Sequence, residues 1–190
     1  MGLANARVNI SSKIWVFWED DWVEIDSSDT VQQLTIRFQL RGRDECFRVT
    51  VVYARCSALE RLELWEDLEN IANQSNSPWM VGGDFNTVVD ESEKSGGLPV
   101  SQQETVDFAH CINAFSLNDL KFVGSYYTWW NERIENDCIF MRLDIVLTNN
   151  EFMQLLPNSD VHHLIRQGSD HAPFTCLRVW STDRRPNEES

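Results

Sequence analysis

The stretch that decides the fold is Pro78-Trp79-Met80-Val81-Gly82-Gly83-Asp84-Phe85-Asn86. Its apolar start is typical of a buried strand, and the polar side chains of Asp84 and Asn86 follow where that strand meets a loop. Loops held by a rigid strand are where binding and catalytic groups are usually found. Asp84 and Asn86 are therefore the first candidates for a functional site.

Two later segments of the chain have the same organisation. Asp144 stands near the start of the apolar run Leu143-Asp144-Ile145-Val146-Leu147, and Ser169-Asp170-His171 leads into Ala172-Pro173-Phe174. We expect the three polar groups to meet as one site at a sheet edge. Each also has an ordinary alternative: Asp-Phe-Asn forms an Asx turn that ends a strand, Asp144 caps a turn, and Asp170-His171 is an exposed pair.

These residue types suit the hydrolysis of a phosphodiester. Asp84 and Asn86 are two residues apart, so in extended backbone they point to the same side and can share one ligand. An aspartate can accept a proton from an attacking water, while an asparagine can orient that water or donate to developing charge. Asp170 offers a hard oxygen ligand for a metal ion, and Asp144 can fix the tautomer of His171.

Composition sets limits on the partners of the protein. The chain has 190 residues, enough for one domain with its own core, and a formal charge of −14 from 30 acidic and 16 basic residues. This balance argues against a broad electrostatic surface for nucleic acid. A divalent cation held by carboxylates would supply positive charge beside a phosphate.

The cysteines and the apolar runs indicate the compartment. The five cysteines are odd in number and form no Cys-x-x-Cys pair, which favours a reduced, intracellular protein. No apolar run approaches the length of a membrane span, and the first residues lack the pattern of a signal peptide. We expect a soluble protein with no membrane association and no small organic cofactor.

Hydrophobic periodicity predicts a mixed α/β fold. Val31 to Leu40 alternates apolar and polar residues, and the pattern resumes from Phe47 to Tyr53, which predicts an antiparallel hairpin. Two capping boxes, Ser57 with Glu60 and Ser101 with Glu104, open amphipathic helices. The apolar face of the first helix is predicted to hold Leu62, Trp65, Leu68 and Ile71. Asp90 to Val100 is predicted to be a loop. The other predicted strands are Lys13–Trp18, Trp79–Gly83, Leu120–Val123, Ser125–Trp130, Cys138–Leu147, Val161–Ile165 and Phe174–Val179.

The order of the motifs along the chain resembles that of a known family. Gly-Asp-Phe-Asn, Thr-Trp, Arg-Leu-Asp and Ser-Asp-His, in this order, resemble the endonuclease/exonuclease/phosphatase family. A narrower resemblance, to the endonuclease domain of plant LINE-type (non-LTR) retrotransposons, rests on Ile14–Trp18, Val52–Ala54, Arg61–Trp65, Pro78–Asn86, Glu93–Gly97, Tyr127–Asn131 and Arg142–Asp144. The resemblance covers residues 9–179 as one domain and leaves residues 180–190 as a polar tail.

The resemblance implies a fold and a reaction. The fold is a four-layer α/β sandwich with two central mixed sheets, as in DNase I, and the reaction is a Mg²⁺-assisted attack of water on a phosphodiester, with Mn²⁺ as a substitute. Asp84 would orient or deprotonate the water, assisted by Asn86. Asp170 would bind the metal, with Asp84 and Asn86 as further ligands.

The resemblance also assigns the phosphate and the DNA contacts. His171, oriented by Asp144, would stabilise the phosphate, and Tyr53 would contact a phosphate oxygen. The segment expected to approach DNA contains Trp129, Trp130 and Asn131, together with Arg142. For the two tryptophans the alternative is packing beneath a loop.

The sequence departs from the family pattern in two places. The family has an Asn in its first strand and a Glu that is a principal metal ligand, and neither is found here. We therefore expect a domain that lacks its first strands and helix, and metal binding that is weakened. Cys56 stands where relatives commonly have Asn.

The function hypotheses belong to different classes. The first is a Mg²⁺-dependent DNA endonuclease-type domain of retrotransposon origin, nuclear if it acts on DNA, with activity impaired by the missing Glu. The alternative is a non-catalytic, transposon-derived remnant. A phosphatase of the same superfamily is a second alternative, and a protein-interaction module is a further one, since fold does not dictate function.

Overall fold

The computed structural model describes residues 5–74 and 76–177, without the side chains of Glu104 and Leu177. The strands of this part are β1 (Asn5–Val8), β2 (Trp15–Trp18), β3 (Trp22–Asp29), β4 (Gln33–Leu40), β5 (Cys46–Tyr53), β6 (Trp79–Asp84), β7 (Lys94–Ser95), β8 (Asn118–Asp119), β9 (Phe122–Val123), β10 (Trp129–Trp130), β11 (Phe140–Met141), β12 (Asp144–Thr148), β13 (Asp160–His163) and β14 (Phe174–Leu177). The α-helices are α1 (Ala58–Gln74), α2 (Gln102–Ala114) and α3 (Asn150–Leu155), and two short 3₁₀ turns lie at Glu91–Glu93 and Glu135–Asp137. No helix of this part is long and apolar enough to cross a membrane.

The main sheet has six strands in the order β3-β4-β5-β6-β12-β8. Strands β5 and β6 are parallel and the other neighbours are antiparallel, so the sheet is mixed. A second mixed sheet has the order β14-β13-β9, and two small antiparallel sheets are β10-β11-β7 and β1-β2. The α/β fold with more than one mixed sheet, expected from the sequence, is confirmed.

Helices α1 and α2 cover one face of the main sheet and pack over β5, β6 and β12. The buried positions of α1 are Arg61, Leu64, Leu68 and Ile71, which follow one helical face. The prediction that Leu62 lies on this face is wrong, because Leu62 is 46 % exposed and the face runs through Arg61 instead. Because Arg61 is charged, the hydrophobicity pattern of the sequence does not show that the buried face begins there.

The opposite face of the main sheet is covered by β2, α3 and the second sheet. Met80 of β6 and Val146 of β12 pack there with Val161 of β13. Side chains two residues apart on a strand share a face, so Asp84 and Asp144 also point to this side. The two aspartates therefore lie on the face toward the second sheet.

The hairpin of β4 and β5 is confirmed, while other predictions fail at their boundaries. Of the predicted strand Ser125–Trp130, only the last two residues form a strand, β10. The predicted strand Cys138–Leu147 consists of two strands, β11 and β12. The sequence does not predict β1, β3, β7 or β8, and β7 lies within the predicted loop Asp90–Val100. β3 is an acidic edge strand whose apolar Val23 and Ile25 are exposed, so it lacks a buried face that a pattern would show. Helix α2 begins after Ser101 as predicted, but the Ser101 side chain makes no capping hydrogen bond. The last predicted strand extends beyond the described residues, and its described part is β14.

Gly83 permits the close contact of β6 with β5. Its φ is +140°, and a Cβ atom there would lie 2.1 Å from the carbonyl oxygen of Val52. At Gly82 the nearest atom to an added Cβ would be in the Val146 side chain, at 3.1 Å, and the Ile145 carbonyl oxygen would be at an ordinary contact distance of 3.4 Å. The parallel pairing that sets Tyr53 beside Asp84 therefore requires glycine at position 83.

We expect Gly83→Ala to destabilise the protein by about 3 kcal/mol or more, since it combines an unfavourable φ with a clash against backbone. Gly82→Ala is the matched control, with an expected cost of about 1 kcal/mol because a side chain can move aside. Urea unfolding of both variants measures the difference. Equal costs at the two positions would contradict this account of Gly83.

Candidate active site

The candidate site lies at one edge of the main sheet, where the three polar segments of the sequence meet. Asp84 is the last residue of β6 and Asp144 the first of β12, and the two are directly paired across the strands. His171 arrives from the loop before β14 and forms an isolated bridge with Trp129. The expected convergence of the segments around Asp84, Asp144 and His171 is thus present in the structure.

Phe85 fixes the loop that carries Asp84 and Asn86. Its ring is fully buried and stacks against Phe108 of α2, with 4.7 Å between the ring centroids. This burial ends β6 and turns the chain, and Asn86 adopts a positive φ of 49°. The backbone N–H of Asn86 donates to Oδ1 of Asp84 over 2.9 Å, so the segment is an Asx turn.

Asn86 and Asp84 therefore meet through a turn and not through the extended backbone that the sequence predicts. The side-chain N–H groups of Asn86 donate to Asp84 Oδ2 over 3.1 Å and to the carbonyl of Ala54 over 2.8 Å. Its Oδ1 faces the Cys56 thiol, 3.7 Å away. The amide of Asn86 thus holds the Asp84 carboxylate in one orientation.

Arg61 is a positioning residue that the sequence reasoning missed. It is 2 % exposed, and its Nη1 donates to the carbonyl oxygens of Arg55, Cys56 and Asn86 at 3.0, 2.7 and 3.0 Å. Backbone carbonyls buried in a loop need donors, and this guanidinium serves three of them. The available signal was its position four residues before Trp65, on the same side of the predicted helix.

His171 lies between the two aspartates. Its Nδ1 is 2.9 Å from Oδ2 of Asp144, and its Nε2 is 3.8 Å from Oδ2 of Asp84. With Nδ1–H donating to Asp144, the other ring nitrogen is directed to the Asp84 side. The prediction that Asp144 orients His171 agrees with this geometry.

The electrostatics of the cluster reflect two carboxylates placed close together. Burial, followed by the negative charge of Asp144, raises the pKa of Asp84 to about 6. The hydrogen bond with Asp144 raises the pKa of His171 above its ordinary value. Both shifts favour an additional positive charge, either a proton or a cation, at this position.

A divalent cation fits the donor set. Asp84, Asp144 and His171 each offer one ligand atom, and these atoms lie within 4.8 Å of one another. The nearby charge of Asp170 adds to the negative potential at Asp84. Hard oxygen donors of this kind suit Mg²⁺ or Mn²⁺.

Asp170 is held by the segment Thr128-Trp129-Trp130. The indole Nε1–H of Trp129 donates to Asp170 Oδ2 over 2.9 Å, and the backbone N–H of Trp130 donates to the Asp170 carbonyl over 3.0 Å. The fully buried Thr128 hydroxyl accepts from the backbone N–H groups of Leu143 and Asp144, at 3.0 and 2.9 Å. Thr128 and Trp129 therefore connect the Asp170 loop to the start of β12.

Tyr53 lies beside Asp84 on the neighbouring parallel strand and is exposed. The ammonium of Lys13 lies 5.3 Å from the centre of its ring, within cation–π distance. Tyr53 and Lys13 thus place a hydroxyl and a positive charge at the edge of the site. Lys13 was not singled out from the sequence, because it precedes β2 and is far from Tyr53 along the chain.

Arg142, expected from the resemblance to contact DNA, lies in the interior of the structure. Arg142 is 5 % exposed, and its guanidinium forms ion pairs with Glu93 at 2.8 Å and Asp119 at 2.7 Å. It also lies over the ring of Phe122, 4.8 Å from the centroid. A buried guanidinium with two carboxylate partners is a structural group, so Arg142 leaves the set of candidate DNA contacts.

Trp130 and Asn131 shape the loop between β10 and β11. Trp130 stacks on Phe140 and donates through Nε1 to the carbonyl of Arg133 over 3.1 Å. The Asn131 amide donates to the carbonyl of Asp137 and accepts from the backbone N–H of Ile139, at 2.8 and 3.0 Å. The polar groups of both side chains are used within the loop, which agrees with the alternative of local packing.

A family model described as the endonuclease/exonuclease/phosphatase family matches residues 10–171. The chain belongs to this family. The match includes β6, β12 and the loop that carries His171, so the site described above falls inside the family domain. No curated protein matches the chain in sequence.

Solved structures share the fold at low sequence identity. The endonuclease domain of TRAS1, a telomere-specific non-LTR retrotransposon, matches with a TM-score of 0.64 and 12 % identity over 86 % of this chain and 72 % of that one. An AP endonuclease from Leishmania major has a TM-score of 0.61 and 16 % identity, over 80 % of this chain and 56 % of that one. Beta toxin from Staphylococcus aureus with bound magnesium ions has a TM-score of 0.51 and 14 % identity, over 76 % of this chain and 57 % of that one.

We expect the stability of the metal-free protein to depend on pH through Asp84. Its folded pKa of about 6 lies above the value of about 3.9 for an unfolded chain, so the folded state binds more protons between the two. The folded state should thus lose up to about 3 kcal/mol as pH rises from about 4 to about 7. Unfolding of the wild type and of Asp84→Asn in chelator, across this range, measures the loss as a difference in slope. Parallel curves would show that the Asp84 carboxyl is not perturbed.

We expect Trp129→Phe to raise the pKa of Asp170. The hydrogen bond from the indole lowers that pKa, and phenylalanine keeps an aromatic ring but lacks the N–H group. Trp130→Phe is the matched control, because its indole donates to a backbone carbonyl and not to Asp170. Carboxyl carbon NMR of labelled aspartate measures the titration. A pKa of Asp170 that is the same in both variants would refute the assignment.

Proposed function

We propose that the protein hydrolyses phosphodiester bonds of DNA with the help of Mg²⁺, in the manner of an endonuclease. The observation that carries the proposal is the cluster in which His171 lies between Asp84 and Asp144, with Asn86 holding the Asp84 carboxylate. This set combines a proton acceptor, a proton donor and their orienting groups around one position. Membership of the endonuclease/exonuclease/phosphatase family supports the same reaction class.

Each residue of the cluster has a role that follows from its contacts. Asp84, with a pKa near 6, is suited to accept the proton of an attacking water at neutral pH. Asn86 keeps that carboxylate oriented through its side-chain N–H group. His171, whose Nδ1 is occupied by Asp144, presents Nε2 as a donor to a phosphate oxygen that gains charge. Tyr53 offers a hydroxyl to the same phosphate from β5.

The metal would be held on the carboxylate side of the site. Following the family resemblance, we assign Asp170 as its main ligand, with Asp84 and the Oδ1 atom of Asn86 in support. Of these three, Asp84 belongs to the group of closely spaced donor atoms, and the Trp129 hydrogen bond holds Asp170. When bound, the cation supplies positive charge to the phosphate and to the leaving oxygen. With few protein ligands we expect Mg²⁺ to bind weakly, which would limit the activity, and Mn²⁺ to substitute.

Origin and location are part of the proposal. We infer descent from a LINE-type retrotransposon of plants, which is supported by the series of motifs from Ile14 to Asp144 and is compatible with the fold of the TRAS1 endonuclease domain. A protein that acts on DNA would work in the nucleus. The five free cysteines in the described part are consistent with a reducing compartment.

The test is nicking of supercoiled plasmid with Mg²⁺ or Mn²⁺. We expect the wild type to convert plasmid to the relaxed form, and Asp84→Ala and His171→Ala to lower the rate at least about 100-fold, as for loss of a general base or acid. Asp44→Asn is the matched control, because it removes a carboxylate from the exposed turn between β4 and β5. Addition of a chelator should stop the reaction.

Other outcomes would redirect the assignment. A folded wild type that nicks no faster than Asp84→Ala, with either metal, would sink the nuclease proposal and favour a non-catalytic, transposon-derived remnant. Release of phosphate from a small phosphomonoester such as an inositol phosphate, without nicking, would instead favour a phosphatase. Calorimetric titration with Mn²⁺ separates the two, since only the remnant should fail to bind metal through Asp170.

A further inference from the structure

A groove of about 690 Å³ lies next to the candidate active site, and the proposed reaction does not involve the residues that line it. Its volume lies in the range of small-molecule sites. Aromatic side chains form part of its lining, and the segment 163–166 forms another wall. The residues that matter for its chemistry are Tyr127, Phe140, His163, Ile165 and Arg166.

The walls of the groove are fixed by hydrogen bonds. The Arg166 guanidinium donates through Nη2 to the carbonyl of Tyr127 over 3.0 Å, and His163 Nδ1 is 2.6 Å from the carbonyl of Ser125. The Nε–H of Arg166 has no hydrogen-bond partner among the described residues. That Nε atom is buried, so the part of Arg166 that lines the groove is its guanidinium end, which the Tyr127 carbonyl holds in position.

The charge of the groove is opposite to that of the protein. Its lining includes one arginine, one histidine and no carboxylate, although the chain carries 30 acidic residues. The cavity between α1 and α2 shows the contrast, since its lining includes Glu63, Glu66, Glu69 and Asp107. An anionic ligand is thus accepted in the first cavity and repelled by the second.

The groove lies beside the segment that carries His171. Its lining includes Ala172, which follows His171 in the chain and donates its N–H to the Thr128 carbonyl over 2.7 Å. Phe140, on the other side, stacks with Trp130 at 6.0 Å between ring centroids. The groove therefore begins one residue from His171, and its own lining adds no carboxylate.

We propose that this groove binds one nucleotide of a single strand, adjacent to the phosphate that is cleaved. The base packs against the rings of Tyr127 and Phe140, and the phosphate on its far side pairs with Arg166. Base–aromatic stacking tolerates any base, so the groove provides affinity and register and not sequence preference. This inference rests on the proposed function, because it takes the substrate to be a nucleic acid strand.

The first test is binding of a short fluorescent single-stranded DNA in chelator, which removes cleavage from the measurement. We expect Arg166→Ala to weaken binding and to reduce the slope of log affinity against log salt by about one. Arg41→Ala is the matched control, since Arg41 lies in the turn at the far end of β4 and β5 from Tyr53. Equal slopes for both variants would overturn the phosphate contact.

The second test asks whether a base occupies the groove. A set of strands, each with one abasic position, should show a loss of at least about fivefold in affinity at a single position. Tyr127→Ala should abolish the difference between that strand and the intact one. A uniform response along the strand would overturn the proposal.

The third test does not depend on whether the Arg166 and Tyr127 variants fold. Ile165 is 84 % exposed, so Ile165→Glu adds a carboxylate to the groove with little effect on folding, and Val106→Glu adds the same charge on α2. We expect at least about tenfold weaker binding for Ile165→Glu than for Val106→Glu, through repulsion of phosphate. Cleavage of plasmid with unchanged binding in Ile165→Glu would refute the groove and leave the nuclease proposal standing. Groove-dependent binding without any cleavage would refute the nuclease proposal alone.

Discussion

The antiparallel pairing of β6 with β12 is the constraint on which the site depends. It sets Asp84 directly opposite Asp144, on the face toward the second sheet. Two like charges in this arrangement repel, and the backbone withstands the repulsion because Phe85 anchors the end of β6 in the core. Thr128 anchors the start of β12 by accepting two backbone N–H groups. Burial of Asp84 at the end of β6, followed by this enforced proximity to Asp144, raises its pKa to about 6.

The parts of the fold that could be predicted from the sequence are those whose signal is local. Alternation identified β4 and β5, and helical spacing identified α1 and α2, because each pattern reports a face buried by the element itself. The convergence of Asp84, Asp144 and His171 could also be predicted, since each follows or precedes an apolar strand. The pairing of the short strands β7, β10 and β11 could not, because two-residue strands are defined by their partners and carry no period of their own.

The roles of the arginines and tryptophans depend on contacts between residues far apart in the chain, so local sequence patterns do not predict them. Arg142 is close to Asp144 in sequence, yet its guanidinium donates to Glu93 and Asp119, which lie 49 and 23 residues away along the chain. The same holds for Trp129, because its indole N–H donates to Asp170, 41 residues further along the chain. A polar group buried during folding takes the nearest partner in space, and sequence distance carries no information about that choice.

The distribution of charge on the protein determines where a polyanion could bind. Arg61 and Arg142 are buried, the first among backbone carbonyls and the second between two carboxylates, so neither presents its guanidinium at the surface. At physiological salt, charges beyond about 8 Å are largely screened, which reduces the repulsion from distant acidic residues. The charges that a strand bound as proposed would meet are therefore local: Lys13 beside Tyr53, the proposed cation at the Asp84 cluster, and Arg166 in a groove without carboxylates. The carboxylates of α1 and α2, which would repel a polyanion, line the opposite face of the main sheet from Asp84 and Asp144.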